Sequence, residues 1–507
     1  MSFAAKTYLM TRYNFALLFF PLFLFPLSVK SQEGVDTRIL QPVAMQQDFN
    51  YLRKMLEDTH PGLYMHQSKE SMQHKMDSLC SLLKQPMSFY QFYGIIAYLI
   101  AEVKCEHTSC SPYSESQFQA NIKKWKLIPL TIYFSEHRAY VLVNRTSDTS
   151  IHLGDEVTAI NHHSIDSLEK ALFKYIPTDG DIETSKEQLL TGGMAFNIYY
   201  YLFLERPEAF DITFKTTEGQ LKVKHWDKEL TFAESNNNAI KNPVNKQIIA
   251  IEKRGSKDAA DPWRLELLKD KQTAILTVRT FSGNKKQMYQ KFERFFATIK
   301  QHQITNLIID LDHNGGGDEA AAAELFSYLI DAPSPFINAE YLITDKDDYL
   351  KLADIPDDMH NNKTKYLKPE TSGKFFVKEE TQGELAICNP KANHFTGKVY
   401  FYIDGGTSSA ASTLAAVAQS KHIGTFIGEE TGGTYFGGGS AVGLNLTLPN
   451  SGITAHTSIL YTVFATQGNH DKNRGVIPEY HFVPSFADLI SANNGWKEYI
   501  LKLIRNI

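Results

Sequence analysis

The sequence predicts an α/β protein in three parts: a helical N-terminal segment, a β-rich middle, and an α/β core that closes the chain. Three observations carry this reading. Residues 46–110 place apolar side chains at helical spacing, the pattern changes to short alternating runs from about Leu127, and strand and helix patterns alternate from about Ala274 onward. A period of 3.6 marks helix and a period of 2 marks strand, and their alternation along a chain marks a sheet with helices packed on it. The 507 residues suffice for about two to four such domains, each with its own core. The expected boundaries are 1–31, a leader; 32–112, helical; 113–230, β-rich; and 231–507, the α/β core.

The first 31 residues read as a secretory signal peptide. Lys6 and Arg12 supply the positive start, Phe15 to Val29 is almost wholly apolar, and Val29-Lys30-Ser31 places small residues where a signal peptidase reads them, with Gln32 as the mature start. Pro21 and Pro26 interrupt a run already short for a membrane span. The expected location is periplasmic or extracellular, with no membrane span once the leader is gone. The formal charge of −5 becomes −8 without Lys6, Arg12 and Lys30, which argues against a nucleic-acid partner. Cys80, Cys105, Cys110 and Cys388 are too few for a disulfide framework, although Cys105 and Cys110 would restrain the residues between them if paired. No CxxC or HExxH spacing occurs, so neither a metal nor another cofactor is expected.

In the helical part, Phe49, Leu52, Leu56 and Thr59 share one face, and His60-Pro61-Gly62 ends the helix because proline restricts the residue before it. A second helix starts at Ser88, with Gln91 completing a capping box, and runs through Val103 into the polar cluster Cys105-Glu106-His107-Thr108. In the β-rich part, Ile128–Phe134 and Ala139–Asn144 flank the turn Ser135-Glu136-His137. The run Leu153 to Asn161, Phe210–Phe214 and Gln220–His225 supply further strands. Glu229 to Pro262 lacks periodicity and reads as a linker. In the core, Ala274–Val278, Leu307–Leu311, Lys398–Ile403 and Thr425–Gly428 are strands. Helices are expected over Asp318–Ile330 and Ser409–Ser420, and residues 331–395 form a polar insertion.

Two turns carry chemistry. The first, Asp310-Leu311-Asp312-His313-Asn314-Gly315-Gly316-Gly317, leaves an apolar strand and enters a helix, where bare N–H groups can face an anion. Gly315-x-Gly317-x-x-Ala320 formally fits a dinucleotide fingerprint. However, Asp312 and Asp318 would repel a pyrophosphate, and no strand follows within a compact βαβ unit. The second, Asp404-Gly405-Gly406-Thr407-Ser408-Ser409-Ala410, also joins a strand to a helix. It exposes Ser409 at a helix N-terminus, with the Ala410 N–H beside it. Taken alone, each turn is explained as well by a structural bend or a helix cap.

Together and in this order, the motifs resemble the tail-specific, C-terminal processing serine peptidases of the S41 type. The resemblance rests on Asp310-Leu311, Asn314-x-Gly316-Gly317, Gly406-Thr407-x-Ser409-Ala410, Gly428-Glu429-x-Thr431-x-Gly433 and Gly475-Val476-x-Pro478. Gly154-Asp155-Glu156-Val157-x-Ala159-Ile160-Asn161 is similar to the PDZ-like strand of that family. His60-Pro61-Gly62-Leu63-Tyr64 and Glu106-His107-Thr108 resemble the helical part of its exported bacterial members. The resemblance implies a crotonase/ClpP-like peptidase core, a PDZ-like domain over 113–230 that adds an extended peptide to a strand edge, and a polypeptide substrate. It further implies hydrolysis through an acyl-enzyme on Ser409, with the N–H groups of Gly316 and Ala410 holding the oxyanion.

Two positions depart from the family. Thr434 stands where many members carry the lysine of a Ser–Lys dyad, with no lysine between Lys421 and Lys472, and Asp312 stands where arginine is usual. The tricorn-like branch pairs its serine with a histidine from the helical part, here His107, and an imidazole is an effective base near neutral pH. In that branch an acid before the Gly-Val-x-Pro motif orients the histidine, which makes Asp471 the candidate. The departures also allow a catalytically inactive peptide-binding protein of the same fold. An α/β-hydrolase esterase would need a G-x-S-x-G elbow, and Gly438-Gly439-Ser440-Ala441-Val442 fails at its last position.

Overall fold

The structure is a computed structural model that describes residues 36–227, 230–251, 261–268, 272–491 and 495–506. The leader and part of the 229–262 linker reading lie outside these residues. Helix α1 (Pro42–Thr59) starts with proline in its first turn and buries Met45, Phe49, Leu52, Leu56 and Thr59 along one face. After α2 (Lys69–Ser81), α3 (Phe89–Glu102) opens with the expected capping box, in which Ser88 and Gln91 satisfy each other's backbone N–H. Such a cap contributes about 1 kcal/mol. The chain then turns through Cys105–Thr108 into a strand at Ser109–Ser111, which pairs with Thr454–Ser458. The helical segment therefore ends by adding a strand to residues more than three hundred positions away.

The middle sheet runs β1 (Leu130–Ser135), β2 (Arg138–Asn144), β3 (Glu156–Ile160), β4 (Ala209–Lys215) and β5 (Leu221–Asp227), each antiparallel to its neighbour. Between β3 and β4 lie three helices that sequence patterning does not assign: α4 (Ile165–Phe173), α5 (Glu183–Thr191) and α6 (Ala195–Phe203). In α6, every residue from Phe196 to Phe203 is buried, so no polar stripe betrays its period. Its lone polar side chain, Asn197, donates from Nδ2 to the carbonyls of Ile128 and Leu130, tying the helix to the start of β1. One continuous apolar cluster spans α1–α3 and this sheet, from Phe49 and Phe92 to Leu130, Val157 and Phe214.

The linker reading is corrected in part. Phe232–Lys241 is a helix, α7, opened by a Thr231/Glu234 capping box and burying Phe232, Ser235 and Ala239. The run Ser235-Asn236-Asn237-Asn238 has low helix propensity, and tertiary packing overrides it. The last part is a six-stranded sheet in the order β6 (Trp263–Leu268), β7 (Thr273–Val278), β8 (Asn306–Asp310), β9 (Lys398–Ile403), β10 (Thr425–Gly428) and β11 (Tyr480–His481). It is antiparallel only between β6 and β7.

Both faces of this sheet are covered, so its strands read as unbroken apolar runs. Ala274, Leu276, Leu307, Ile309 and Phe401 face the helices α8 (Lys285–Gln301), α9 (Glu319–Phe326) and α10 (Ala410–Ser420). Ile275, Ile308, Tyr400 and Tyr402 alternate onto the other face, against Trp496 and Ile500 of α11 (Gly495–Asn506). The 331–395 insertion is not only polar loop, because its strand Ile337–Leu342 pairs with Tyr461–Phe464 in a second sheet. Among the described residues, no helix is long and apolar enough to cross a membrane.

Candidate active site

In a parallel sheet, the loops at the carboxyl ends of the strands converge on one edge. Here the loops after β8 and β9 meet. Asn314, with no exposed surface, is the knot between them. Its Nδ2 donates to the Val278 carbonyl at the end of β7, its Oδ1 accepts the Gly316 N–H, and its carbonyl accepts the Ser408 N–H. Asp404 binds the second loop. Its Oδ1 accepts the N–H groups of His313 and Gly406 and the Thr407 hydroxyl at 2.9–3.2 Å, while Oδ2 accepts Gln188 Nε2 and pairs with the His313 imidazole. Burial opposes charge on His313, but the Asp404 carboxylate prevails and lifts its pKa to about 9.

Ser409 sits at the N-cap of α10 with φ +51°, and its side chain caps nothing. A left-handed conformation at a non-glycine residue costs about 1 kcal/mol or more, and such strain gathers at functional turns. The bend fits only because Gly316 faces it. A Cβ at Gly316 would lie 2.6 Å from Ser409 Cβ and 2.8 Å from the Ala410 nitrogen, and φ there is +87°. The Ala410 N–H has no hydrogen-bond partner among the described residues, as an oxyanion donor requires. The Gly316 N–H, expected as the second donor, is engaged by Asn314 Oδ1 at 2.9 Å.

The turn Cys105–Thr108 is delivered to this place from the helical segment. Thr108 is buried, its hydroxyl bonds His60 Nε2 at 2.9 Å, and it accepts the Ser458 N–H at 3.3 Å. Gly439 leaves room for the turn, since a Cβ there would meet Cys105 Sγ at 2.6 Å. The Glu106 carboxyl lies within hydrogen-bonding reach of the Ser408 side chain and the Ser409 N–H, and burial raises its pKa to about 7. His107 follows, mostly buried, with Nδ1 3.5 Å from Glu106 Oε1 and without a hydrogen bond. Burial lowers its pKa, and the Asp179 carboxylate partly restores it.

Asp179 is the acid that faces His107. Its Oδ1 accepts the Glu106 N–H at 2.9 Å, and burial raises its pKa to about 7. Asp471, expected in that role, instead lies exposed and caps the Asn473 N–H in its own turn, with no bond to His107. The structure thus brings Ser409, Ala410, Gly316 and the Glu106-His107 pair to one edge and leaves Asp471 outside. No hydrogen bond joins His107 to Ser409 themselves. Cys105 and Cys110 are separate buried thiols rather than a pair.

The departures noted in the sequence also have physical accounts. The Thr434 hydroxyl, in the lysine position, donates to the Gly437 carbonyl and carries no charge. Asp312, in the arginine position, pairs with Arg279 from the end of β7, whose guanidinium also grips both Asp310 oxygens at 2.7 Å. The cation is retained but comes from a different strand. The distant Gly428 and Gly475 motifs meet because Glu430 accepts the Gly475 N–H and pairs with Arg474, while Thr431 Oγ1 accepts the Val476 N–H. Sequence reasoning missed Glu106, although it lies inside a quoted motif, and missed Asp179, which sits in an unpatterned turn.

Residues 272–482 match the model of peptidase family S41. No curated protein matches the chain. Among solved structures, mature CPAF is 14% identical, with 92% of this chain and 98% of that chain covered at a TM-score of 0.58. Mature CPAF complexed with lactacystin is also 14% identical, with coverages of 91% and 98% and the same score of 0.58. The photosystem II D1 C-terminal processing protease is 12% identical over 87% and 94% of the two chains, at a score of 0.39. At these identities the CPAF likeness speaks to the fold, which is shared along almost the whole of both chains. The family match supports serine-type peptidase activity and, with it, a polypeptide substrate.

Proposed function

We propose that this peptidase is an exported serine endopeptidase that cleaves through an acyl-enzyme on Ser409, with His107 as general base. The observation that carries the reading is Ser409 itself: a strained, uncapped serine at a helix N-terminus, pressed against Gly316 and beside an unbonded Ala410 N–H. The helix dipole and the Ala410 N–H favour negative charge where the tetrahedral intermediate forms. The Gly316 N–H is the second donor and trades its bond to Asn314 for a charge-assisted one to the oxyanion.

His107 is kept neutral by burial, the state a base needs, and reaches Ser409 as substrate closes the site, since catalytic hydrogen bonds often tighten only in the complex. Asp179 orients His107 and supports the imidazolium that forms, taking the orienting role that the sequence reading offered to Asp471. The reading keeps the PDZ-like character of 113–230, the crotonase/ClpP-like character of the core and the cleaved leader as parts of the same proposal.

The test is covalent labelling. A fluorophosphonate should modify Ser409 in the folded chain, and lactacystin, with which mature CPAF is complexed in one solved structure, is a second probe. Ser409→Ala should abolish labelling and hydrolysis with the fold intact, leaving at most the residual rate that binding and an oxyanion hole support, about 10³-fold over water. A folded chain that neither labels nor cleaves any peptide would favour the inactive peptide-binding reading instead.

A further inference from the structure

Away from the Ser409 edge, the β1–β2 hairpin turns at Glu136 and His137, both left-handed at φ +50° and +59°. Such a turn usually recruits asparagine or glycine. Here it carries an imidazole over two carboxylates. His137 Nδ1 lies 3.0 Å from Glu169 Oε2 of α4 and 3.6 Å from Glu187 Oε1 of α5. Glu169 has no exposed surface, and its second oxygen is buried without a partner. Glu187 is also buried, and the imidazole edge is open to solvent. The His137 backbone N–H also donates to Glu187 Oε1, which leaves Glu169 as the carboxylate with a buried unpartnered oxygen, and a charge buried there is costly without a cation or a proton.

We propose that His137, Glu169 and Glu187 form a binding site for a divalent transition-metal cation. Among the described residues, these three are the group whose ligand atoms all lie within 4.8 Å of one another. Metal bonds of about 2.1 Å place neighbouring ligands about 3.0–3.4 Å apart, which the 3.0 and 3.6 Å separations approach. One imidazole nitrogen with two carboxylates suits zinc or manganese, whereas calcium and magnesium prefer all-oxygen sets. The site was invisible in the sequence because its ligands stand 32 and 50 positions from His137, outside any motif spacing.

The cation would bind the hairpin to α5 and so bear on the Ser409 edge. Gln188, next to Glu187, donates to Asp404 Oδ2 at 3.0 Å, and Thr184 donates to the Glu430 carbonyl at 3.0 Å.

The test uses the full chain, stripped with a chelator and titrated with zinc by calorimetry against a competing chelator. One equivalent should bind and raise the melting temperature, and Co²⁺ in its place should give visible ligand-field bands. His137→Ala removes an exposed ligand without opening the core, and should weaken zinc binding by at least tenfold, as should Glu169→Gln. A surface control, His422→Ala, should bind as the parent does. Absence of stoichiometric binding, or equal affinity in the His137→Ala chain, would overturn the proposal and leave the cluster an ion pair.

Discussion

At the scale of residues, the site is governed by which groups burial keeps neutral. Burial lowers the His107 pKa from about 6.5 while Asp179 opposes the shift, so the imidazole is already deprotonated below that value. Activity should therefore rise with pH, with the midpoint of the acid limb in kcat/KM below 6.5. A limb above 6.5 would remove His107 from the mechanism. His107→Ala should cost about as much as Ser409→Ala, roughly 10³-fold or more, because the two act as one unit.

At the scale of elements, two loop ends must interlock before any of these groups meet. Gly316→Ala would force a Cβ to within 2.6 Å of Ser409 in a left-handed position. Backbone strain alone costs about 1–2 kcal/mol, and the steric conflict adds to it. Denaturant unfolding should show a loss of that order, and hydrolysis should fall much further than stability, since the bend at Ser409 is displaced. Asp404→Ala removes the acceptor shared by His313, Gly406, Thr407 and Gln188. The part-buried N–H groups of His313 and Gly406 lose their acceptor at about 1–3 kcal/mol each while the Thr407 hydroxyl keeps the Leu311 carbonyl, so a loss of about 2 kcal/mol or more is expected by the same measurement. A near-neutral Asp404→Ala would show that the loops are held by packing alone.

At the scale of the whole molecule, several carboxyls are buried in their protonated form. Burial lifts Glu340 to about 7, and Glu319 and Glu429 to about 8, from an ordinary value near 4.5. Their folded pKa values exceed the unfolded ones, so the stability they allow is fully present below about pH 4.5 and is lost as pH rises toward 8. His60 has the opposite sign. Burial lowers it to about 3, so its contribution grows between about pH 3 and 6.5 and is constant above. From pH 6.5 to 8 these acids and His313, whose folded pKa is about 9, all lose stabilisation as pH rises, so the melting temperature should fall over that window. Glu340→Gln should flatten the fall, and a melting temperature that rises from pH 6.5 to 8 would contradict this assignment.

Four of the core strands, helices α9 and α10, the capping box at Ser88, and the two turns that end in Gly317 and Ser409 were legible in the sequence, whereas patterning does not assign β6, β11, α8 and α11. Each legible feature is a local matter of period, cap or glycine. The fully buried α6 was not legible, because a helix apolar on every side has no stripe to read. Helix α7 was not, because packing of Phe232 and Ala239 outweighs its asparagine-rich propensity. The Gly316 donor and the Asp471 acid were legible only as positions in motifs. The side-chain bond that engages Gly316, and the placing of Asp179 rather than Asp471 near His107, depend on which loops pack together. The Glu106–His107 turn lies beside the Ser408–Ser409 turn because Ser109–Ser111 pairs with Thr454–Ser458, and Asp179 joins it from the loop between α4 and α5. His137, Glu169 and Glu187 likewise meet only when the hairpin folds over α4 and α5. The sequence by itself determined which local structures form and which residue types they present. Long-range packing, which no local propensity encodes, decided which of those residues share a site.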